Sequence, residues 1–347
     1  MIKKTADELR DLVVRIAEAV GTPPDCAAIL ADVLVGSHLA GHDSHGIQHL
    51  PRYIREVHAG DIVPDARPQI ESETDSTALV RGNWAWGHVT ADFFTELGIE
   101  KAKKNKIALV GVVEVNHIGR LGEYVERAAS EGVVTILTLG VKEPEMPVAA
   151  PYGGRKGLLA PNPIAMGFPV HGSHPVVLDF ATTQIAGGKV MLAKAKGVDL
   201  APGCILNKNG APSTDPNDYF DGGALLPFGG HKGSAVMIAT EILGQILSGT
   251  DAYTDTPHGG PNFRHAGMTL ISIDSGVFSS TDDFAARTGV LVDRIHAVPP
   301  ADGFDEVQAP GDFEQQIRDI RTNEGIEIPE STWNELFQTA EEVGAEI

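Results

Sequence analysis

The hydrophobic period of this chain changes near residue 64, and that change restricts the fold to a helical part joined to a sheet part. Ahead of the change, Leu9, Leu12, Val13, Ile16 and Val20 recur at helical spacing until Gly21, behind a Thr5/Glu8 pair with capping-box spacing. A second helix is expected from Thr22, with Pro23 in its first turn, through Ala-rich sequence to Ala40, so the first sixty residues read as helical. Beyond Pro64 and Pro68 the apolar residues fall into short β-branched runs at 77–80, 107–115, 133–139, 176–180 and 268–273, which is strand patterning. Between the second and third runs, Leu121, Tyr124, Val125 and Ala128 share one helical face, and the simplest reading is a βαβ unit. Residues 233–247 read as a buried helix, apolar on several sides and ending at Gly249. Helical patterning returns at 312–321 and again behind Thr332 and Glu335, and this tail is expected to fold back on the N-terminal helices. The Gly/Pro-rich stretch 144–175 reads as ordered loops and short strands.

The acidic balance narrows the partners. Asp and Glu number 47 against 27 Lys and Arg among 347 residues, a formal net charge of −20 whose field repels nucleic acid and anionic membranes. Neither is expected as a partner. A small anionic substrate would have to be held by a local cation against that field, so each arginine near a candidate site is informative. Cys26 and Cys204 stand far apart in no metal or redox spacing. With no run of eighteen apolar residues and no apolar leader segment, the expectation is a cytoplasmic protein.

His38, His42, His45 and His49 follow one another at spacings that place them on one face if the helix runs through them. Such a stripe suits a metal-dependent hydrolase or lyase, but no HExxH pattern accompanies it, and no metal is assigned. The plainer reading is a polar face that bonds its neighbours. A third reading rests on Asp43-Ser44-His45-Gly46, where a glycine breaks the helix beside an imidazole able to exchange protons near neutral pH. Asn116-His117-Ile118-Gly119-Arg120 lies where a strand should end and a helix begin, the place where α/β sheets collect ligands, although an ordinary βα turn has the same composition. No Rossmann or Walker glycine fingerprint is present. Instead Gly229-Gly230-His231-Lys232-Gly233 precedes a helix, offering backbone N–H groups and a lysine to an anion, and Asp179 to Thr183 closes a strand with one carboxylate and two hydroxyls.

In order and content these segments resemble the type 2 malate/L-lactate dehydrogenase family over nearly the whole chain. The resemblance rests on Asp43-Ser44-His45-Gly46, Gly60-Asp61-Ile62-Val63-Pro64, Asn116-His117, Pro151-Tyr152-Gly153-Gly154, Asn162-Pro163-Ile164-Ala165, Leu178-Asp179-Phe180-Ala181-Thr182, Leu226 through Gly233 and Ala309-Pro310-Gly311-Asp312. It implies an α/β fold: a non-Rossmann NAD(P)-binding mixed sheet with helices on its faces over 74–311, including a helical segment at 231–249. A helical lobe of 1–73 together with 312–347 completes it. It implies a homodimer and an NAD(P)-dependent dehydrogenase or reductase, using NAD or NADP. The enzyme would transfer a hydride between the nicotinamide and C2 of a small 2-hydroxy/2-oxo acid of malate, lactate or sulfolactate type, or alternatively reduce a cyclic 2-imino acid of piperideine- or pyrroline-2-carboxylate type.

Carried over by position, His45 is the proton donor, Ser44 its neighbour in the substrate pocket and His117 a second catalytic imidazole. Val177, Leu178, Asp179, Phe180, Ala181, Thr182, Thr183, His231, Lys232, Gly311 and Asp312 match the cofactor-binding segments. One departure stands out. Many members place an arginine three residues after the glycine of the SHG motif, where it holds a substrate carboxylate, and here that position is His49, leaving His49, Arg52 and Arg120 as substrate-binding candidates.

Overall fold

The computed structural model describes residues 1–141 and 148–346, so the first part of the 144–175 stretch lies outside the described residues. A short strand β1 (Ile2–Lys4) precedes helix α1 (Ala6–Ala19). The capping box is formed: the Thr5 hydroxyl accepts from the Glu8 amide and the Glu8 carboxylate accepts from the Thr5 amide. Helix α2 (Pro24–Leu39) starts one residue after Pro23, and at Gly41, with φ of 79°, the chain leaves the helix. Two short 3-10 turns, Asp43–His45 and Ile47–His49, then lead into α3 (Leu50–Ala59). The helix therefore does not run through the histidine stripe.

The sheet part begins with β2 (Gln69–Glu73) and β3 (Thr77–Arg81), followed by α4 (Gly87–Asn105), β4 (Ile107–Val113), α5 (Gly122–Ser130) and β5 (Val133–Val141). Strands β6 (Ile164–Phe168) and β7 (Val176–Phe180) lead to α6 (Gly187–Lys196). A small three-stranded sheet holds β8 (Ile205–Leu206), β9 (Pro212–Ser213) and β10 (Ala224–Leu225), with α7 (Pro216–Phe220) between the last two. Helix α8 (His231–Glu241) widens into a π turn at Ile242–Ile246, and the short α9 (Gly260–Phe263) precedes β11 (Ala266–Asp274). The chain ends with α10 (Thr281–His296), α11 (Asp312–Glu324), β12 (Ile326–Ile328) and α12 (Glu330–Val343).

Among the described residues the main sheet has seven strands in the order β2-β3-β4-β11-β5-β6-β7, of which only β3 and β4 are parallel neighbours. The expected βαβ unit is thus a split one. Strand β11, from late in the chain, lies between β4 and β5 and pairs antiparallel with both, while the adjacent parallel pair is β3 and β4, joined through α4. Val110, Val112, Leu137, Met268 and Leu270 fill the core between this sheet and Phe94, Tyr124 and Val125 of the covering helices. Segment 231–247 is less buried than its composition implies: Met237 is enclosed, whereas Ile238, Ile242, Ile246 and Leu247 are exposed.

The two chain ends meet. Strands β1 and β12 pair antiparallel with Ile2 opposite Ile328 and Lys4 opposite Ile326. A second core joins Leu9, Val13, Ile16, Leu30, Leu34, Tyr53 and Trp86 to Ile326, Ile328, Leu336 and Ala340. Neither short strand has enough local signal to be read from sequence; each exists because the other supplies its ladder. The last helix starts at Glu330, earlier than the Thr332/Glu335 pair suggests, because Pro329 has a φ of −57° suited to a helix entry and its carbonyl accepts from the Trp333 amide. Ile328→Ala is expected to cost about 2–5 kcal/mol, the range for deleting buried aliphatic groups. Urea denaturation of the full chain measures it, and a loss below about 1 kcal/mol would show that the paired ends add little to this core.

Candidate active site

Strand β4 delivers His117. Beyond its last residue the buried Asn116 side chain donates to the carbonyls of Trp84 and Ala85 at 2.9 and 3.0 Å, which pins the turn and sends the next side chain toward the helical core. The Tyr53 hydroxyl lies 2.6 Å from His117 Nδ1, and the Gly119 amide donates to the same nitrogen at 3.3 Å. An amide can only donate, so Nδ1 is the acceptor and the neutral ring carries its proton on Nε2.

His45 comes from the other side. Its ring is stacked on that of His117 with centroids 6.0 Å apart and planes 16° from parallel, and Ser44 Oγ lies 3.1 Å from His45 Nδ1. His49 stands 6.2 Å from His45 and 5.4 Å from His117, and the Phe263 ring meets His117 edge-on at 5.8 Å. The Tyr53 ring packs against the buried His88 at 5.3 Å, and neither His88 nitrogen has a partner among the described residues.

A lock behind the 3-10 turns holds His45 there. His38 is buried; its Nε2 accepts from the Ile47 amide at 3.1 Å, so its Nδ1 carries the proton and donates to Asp43 at 2.8 Å. Arg321 of α11 grips both oxygens of Asp43 and also donates to the His38 carbonyl. Burial opposes ionisation of Asp43, but the bonds from His38 and Arg321 outweigh it and hold the carboxyl well below its usual range. Glycine is required at 46, because a Cβ there would come within 2.3 Å of the His38 ring. His42 turns instead toward Glu314, 3.0 Å away. The stripe therefore divides: His38 and His42 bond carboxylates of the surrounding framework, and His45 and His49 join His117. Among the described residues no group of three or more His, Cys, Asp or Glu side chains is arranged to hold a metal ion.

Arg120 and Arg52 differ. Arg120 is buried, with Nη1 3.3 Å from Glu126 and 3.5 Å from Glu123, and its guanidinium lies over Gly122 at the start of α5. Arg52, on α3, donates through Nε to Glu56 at 2.7 Å and rests against the rings of Tyr53 and Phe263.

The remaining sequence candidates gather at the end of β7. The Val177 amide donates to the Pro310 carbonyl at 3.0 Å, and the Phe228 amide to the Thr182 carbonyl at 3.1 Å, so 177–183, 228–232 and 309–312 are neighbours. Leu178 and Ala181 lie partly covered in this strip, and Phe180 is exposed with its ring edge on Phe228. The polar groups here are mostly committed within the chain. Asp179 accepts from the Gly122 amide at 2.7 Å, Thr182 donates to the Pro161 carbonyl and Thr183 to the Ile185 carbonyl. Gly311 packs on the Pro175 carbonyl, and Asp312 bonds His174, His296 and the Ala309 amide. His231 and Lys232, in contrast, are exposed on the first turn of α8, whose leading amides have no side-chain cap among the described residues. That turn can receive an anionic group such as a diphosphate.

Tyr53, Phe263 and His88 were not anticipated from the sequence. Tyr53 follows His49 at the i, i+4 spacing of a helix face, a usable signal; Phe263 and His88 carry none.

Burial pulls His45 down to about 4 and His88 to about 3, and it lowers His117 and His49 as well, with neighbouring histidines adding to the effect at His45, His88 and His117. All four rings are neutral at pH 7. Because their folded values lie below the unfolded histidine value of about 6.5, the unfolded chain binds more protons in between, and stability falls as pH drops from about 6.5 toward 4. Thermal denaturation across that window should show Tm decreasing, with a shallower slope in His88→Leu; an unchanged slope would mean His88 is not held neutral.

The malate/L-lactate dehydrogenase family model matches residues 5–337. Hydroxycarboxylate dehydrogenase B of Escherichia coli O157:H7 is 34% identical over 342 residues, covering 98% of this chain and 94% of that protein. L-sulfolactate dehydrogenase of Methanocaldococcus jannaschii is 34% identical over 349 residues, covering 100% and 98%. The crystal structure of delta1-piperideine-2-carboxylate reductase from Pseudomonas syringae superposes with a TM-score of 0.86 at 30% identity, covering 98% of this chain and 100% of that one. Matched from its first helix to its last, and similar in sequence to hydroxycarboxylate and sulfolactate dehydrogenases, this chain belongs to the malate/L-lactate dehydrogenase family of oxidoreductases.

Proposed function

We propose that the enzyme interconverts a small 2-hydroxy acid and its 2-oxo acid at the His45/His117 pair. The observation that carries this is the stacking of two neutral imidazoles, 72 residues apart in the chain, beyond the carboxyl end of a sheet strand. NAD(P), when bound, supplies the hydride chemistry at C2. The exposed turn at His231 and Lys232 fits its phosphates, and Val177, Leu178, Phe180, Ala181 and Gly311 form the adjoining strip. Asp179, Thr182, Thr183 and Asp312 hold that strip in place through the bonds described above. Lys232 beside uncapped amides accommodates either NAD or NADP.

At the reacting oxygen, neutral His45 accepts the hydroxyl proton during oxidation. During reduction the arriving anionic substrate favours the charged imidazole, which then returns the proton. Ser44 orients His45 through Nδ1, and His117, its Nδ1 occupied by Tyr53, presents Nε2–H to the substrate oxygen. Two divisions of the chain support this arrangement: residues 1–73 with 312–347 form a lobe that holds the His45 loop, and 74–311 form a non-Rossmann sheet domain that holds the cofactor. The exposed row Ile238, Ile242, Ile246 and Leu247 supports a homodimer in which a second copy covers it. A cytoplasmic location suits an enzyme drawing on a soluble NAD(P) pool. Reduction of a cyclic 2-imino acid is the second reading, favoured by the likeness to the piperideine-2-carboxylate reductase.

His45→Ala should lower kcat by about 10²–10⁴ with cofactor affinity preserved, measured by NADH and NADPH consumption against 2-oxo acids and cyclic imino acids. Full turnover in this variant would remove His45 from the mechanism. In the wild type, kcat/KM for hydroxy-acid oxidation should stay high through pH 6 and fall only in the depressed range near 4, because the base must be unprotonated; a fall centred at 6.5 would contradict the assignment.

A further inference from the structure

We infer that Arg52 takes the C1 carboxylate of the substrate, with Glu56 aiming its guanidinium. This rests on the reading of the site as one for 2-oxo acids.

Any carboxylate entering this protein does so against a net charge of −20, and the rings around the reacting centre, neutral until the substrate is bound, carry no charge to attract it. His49, kept neutral by burial, offers at most one donor. Arg120 is a cation, but its surroundings are already anionic. Glu123 and Glu126 face it from α5, Arg318 shares Glu126, and Asp179 and Glu314 stand close enough to feel its charge. An arriving carboxylate would meet four others there.

Arg52 is placed differently. Its side chain is one-third exposed, and its Nε is bonded to Glu56 one helical turn along. Among the described residues no hydrogen bond engages Nη1 or Nη2, which leaves the two-pronged edge of the guanidinium for a bidentate grip. Its carbon lies 5.8 Å from the centre of the Phe263 ring, and the same ring lies 5.8 Å from His117. The cation and the catalytic imidazole thus flank one phenyl wall. Tyr53, which bonds His117, forms a second shared wall at 5.9 Å from each. Glu56 fixes the guanidinium plane through Nε, so less rotamer freedom is lost when the carboxylate arrives.

The probes are oxamate, an unreactive anionic isostere of a 2-oxo acid, and oxamide, its neutral counterpart. Both are titrated calorimetrically into the full-length enzyme saturated with NADH and, separately, NADPH. Arg52→Met should weaken oxamate binding by about 30-fold or more, the scale for removing one partner of a hydrogen-bonded charge pair, while leaving oxamide and cofactor binding unchanged. Arg52→Lys should recover part of the loss, Glu56→Gln should show a smaller one, and His49→Gln should keep the wild-type preference for oxamate. The assignment is overturned if Arg52→Met retains that preference, if His49→Gln abolishes it, or if the wild type binds both probes equally. The function itself fails by a separate route: a wild type that consumes neither NADH nor NADPH with any 2-oxo acid refutes the reaction, while the oxamate preference still decides the role of Arg52.

Discussion

Arg321, near the end of the chain, reaches back to Asp43 and holds the turn on which Ser44 and His45 ride. Asp43 passes that restraint to His38, and His38 accepts the Ile47 amide on the far side of Gly46. A glycine-broken turn would otherwise sample many conformations. Here its two halves are tied to one buried imidazole, and the stacking of His45 on His117 follows from that tie. The pairing of β1 with β12 and the shared core of both chain ends bring α11 within reach of the turn.

On the other side of the site, the sheet fixes His117. Inserting β11 between β4 and β5 gives β4 an antiparallel neighbour on one edge and the parallel β3 on the other. Its end, and the Asn116 turn beyond it, is therefore anchored on both sides. The core of the two chain ends reaches the histidines through Tyr53, and the sheet core reaches them through Phe263. Burial there keeps the rings neutral.

Much of the architecture is legible in residue pattern alone. The capping box at Thr5, the strands at 77, 107, 133, 176 and 268, and the helix behind Gly229-Gly230 are local, each written in a few neighbouring residues. Strands β1 and β12 are three residues each and have no such signature, and the insertion of β11 depends on pairing between segments more than a hundred residues apart. The exposed side of α8 reads as buried in sequence because composition reports how apolar a helix is, and not what lies against it.

The same division runs through the site. Family membership, and with it His45 and His117 as candidates, is determined by the sequence, because ordered short motifs survive without reference to their surroundings. Which histidines of the stripe belong together was decided only by tertiary structure. The turn at Gly41 and the lock on Asp43 separate His38 and His42 from His45 and His49, and spacing along a chain cannot report a bond to residue 314 or 321. Arg52 and Arg120 are likewise equivalent in sequence, both arginines close to a motif histidine. The fold surrounds one with carboxylates and, among the described residues, leaves the other's guanidinium edge unbonded, because electrostatic environment is set by neighbours in space.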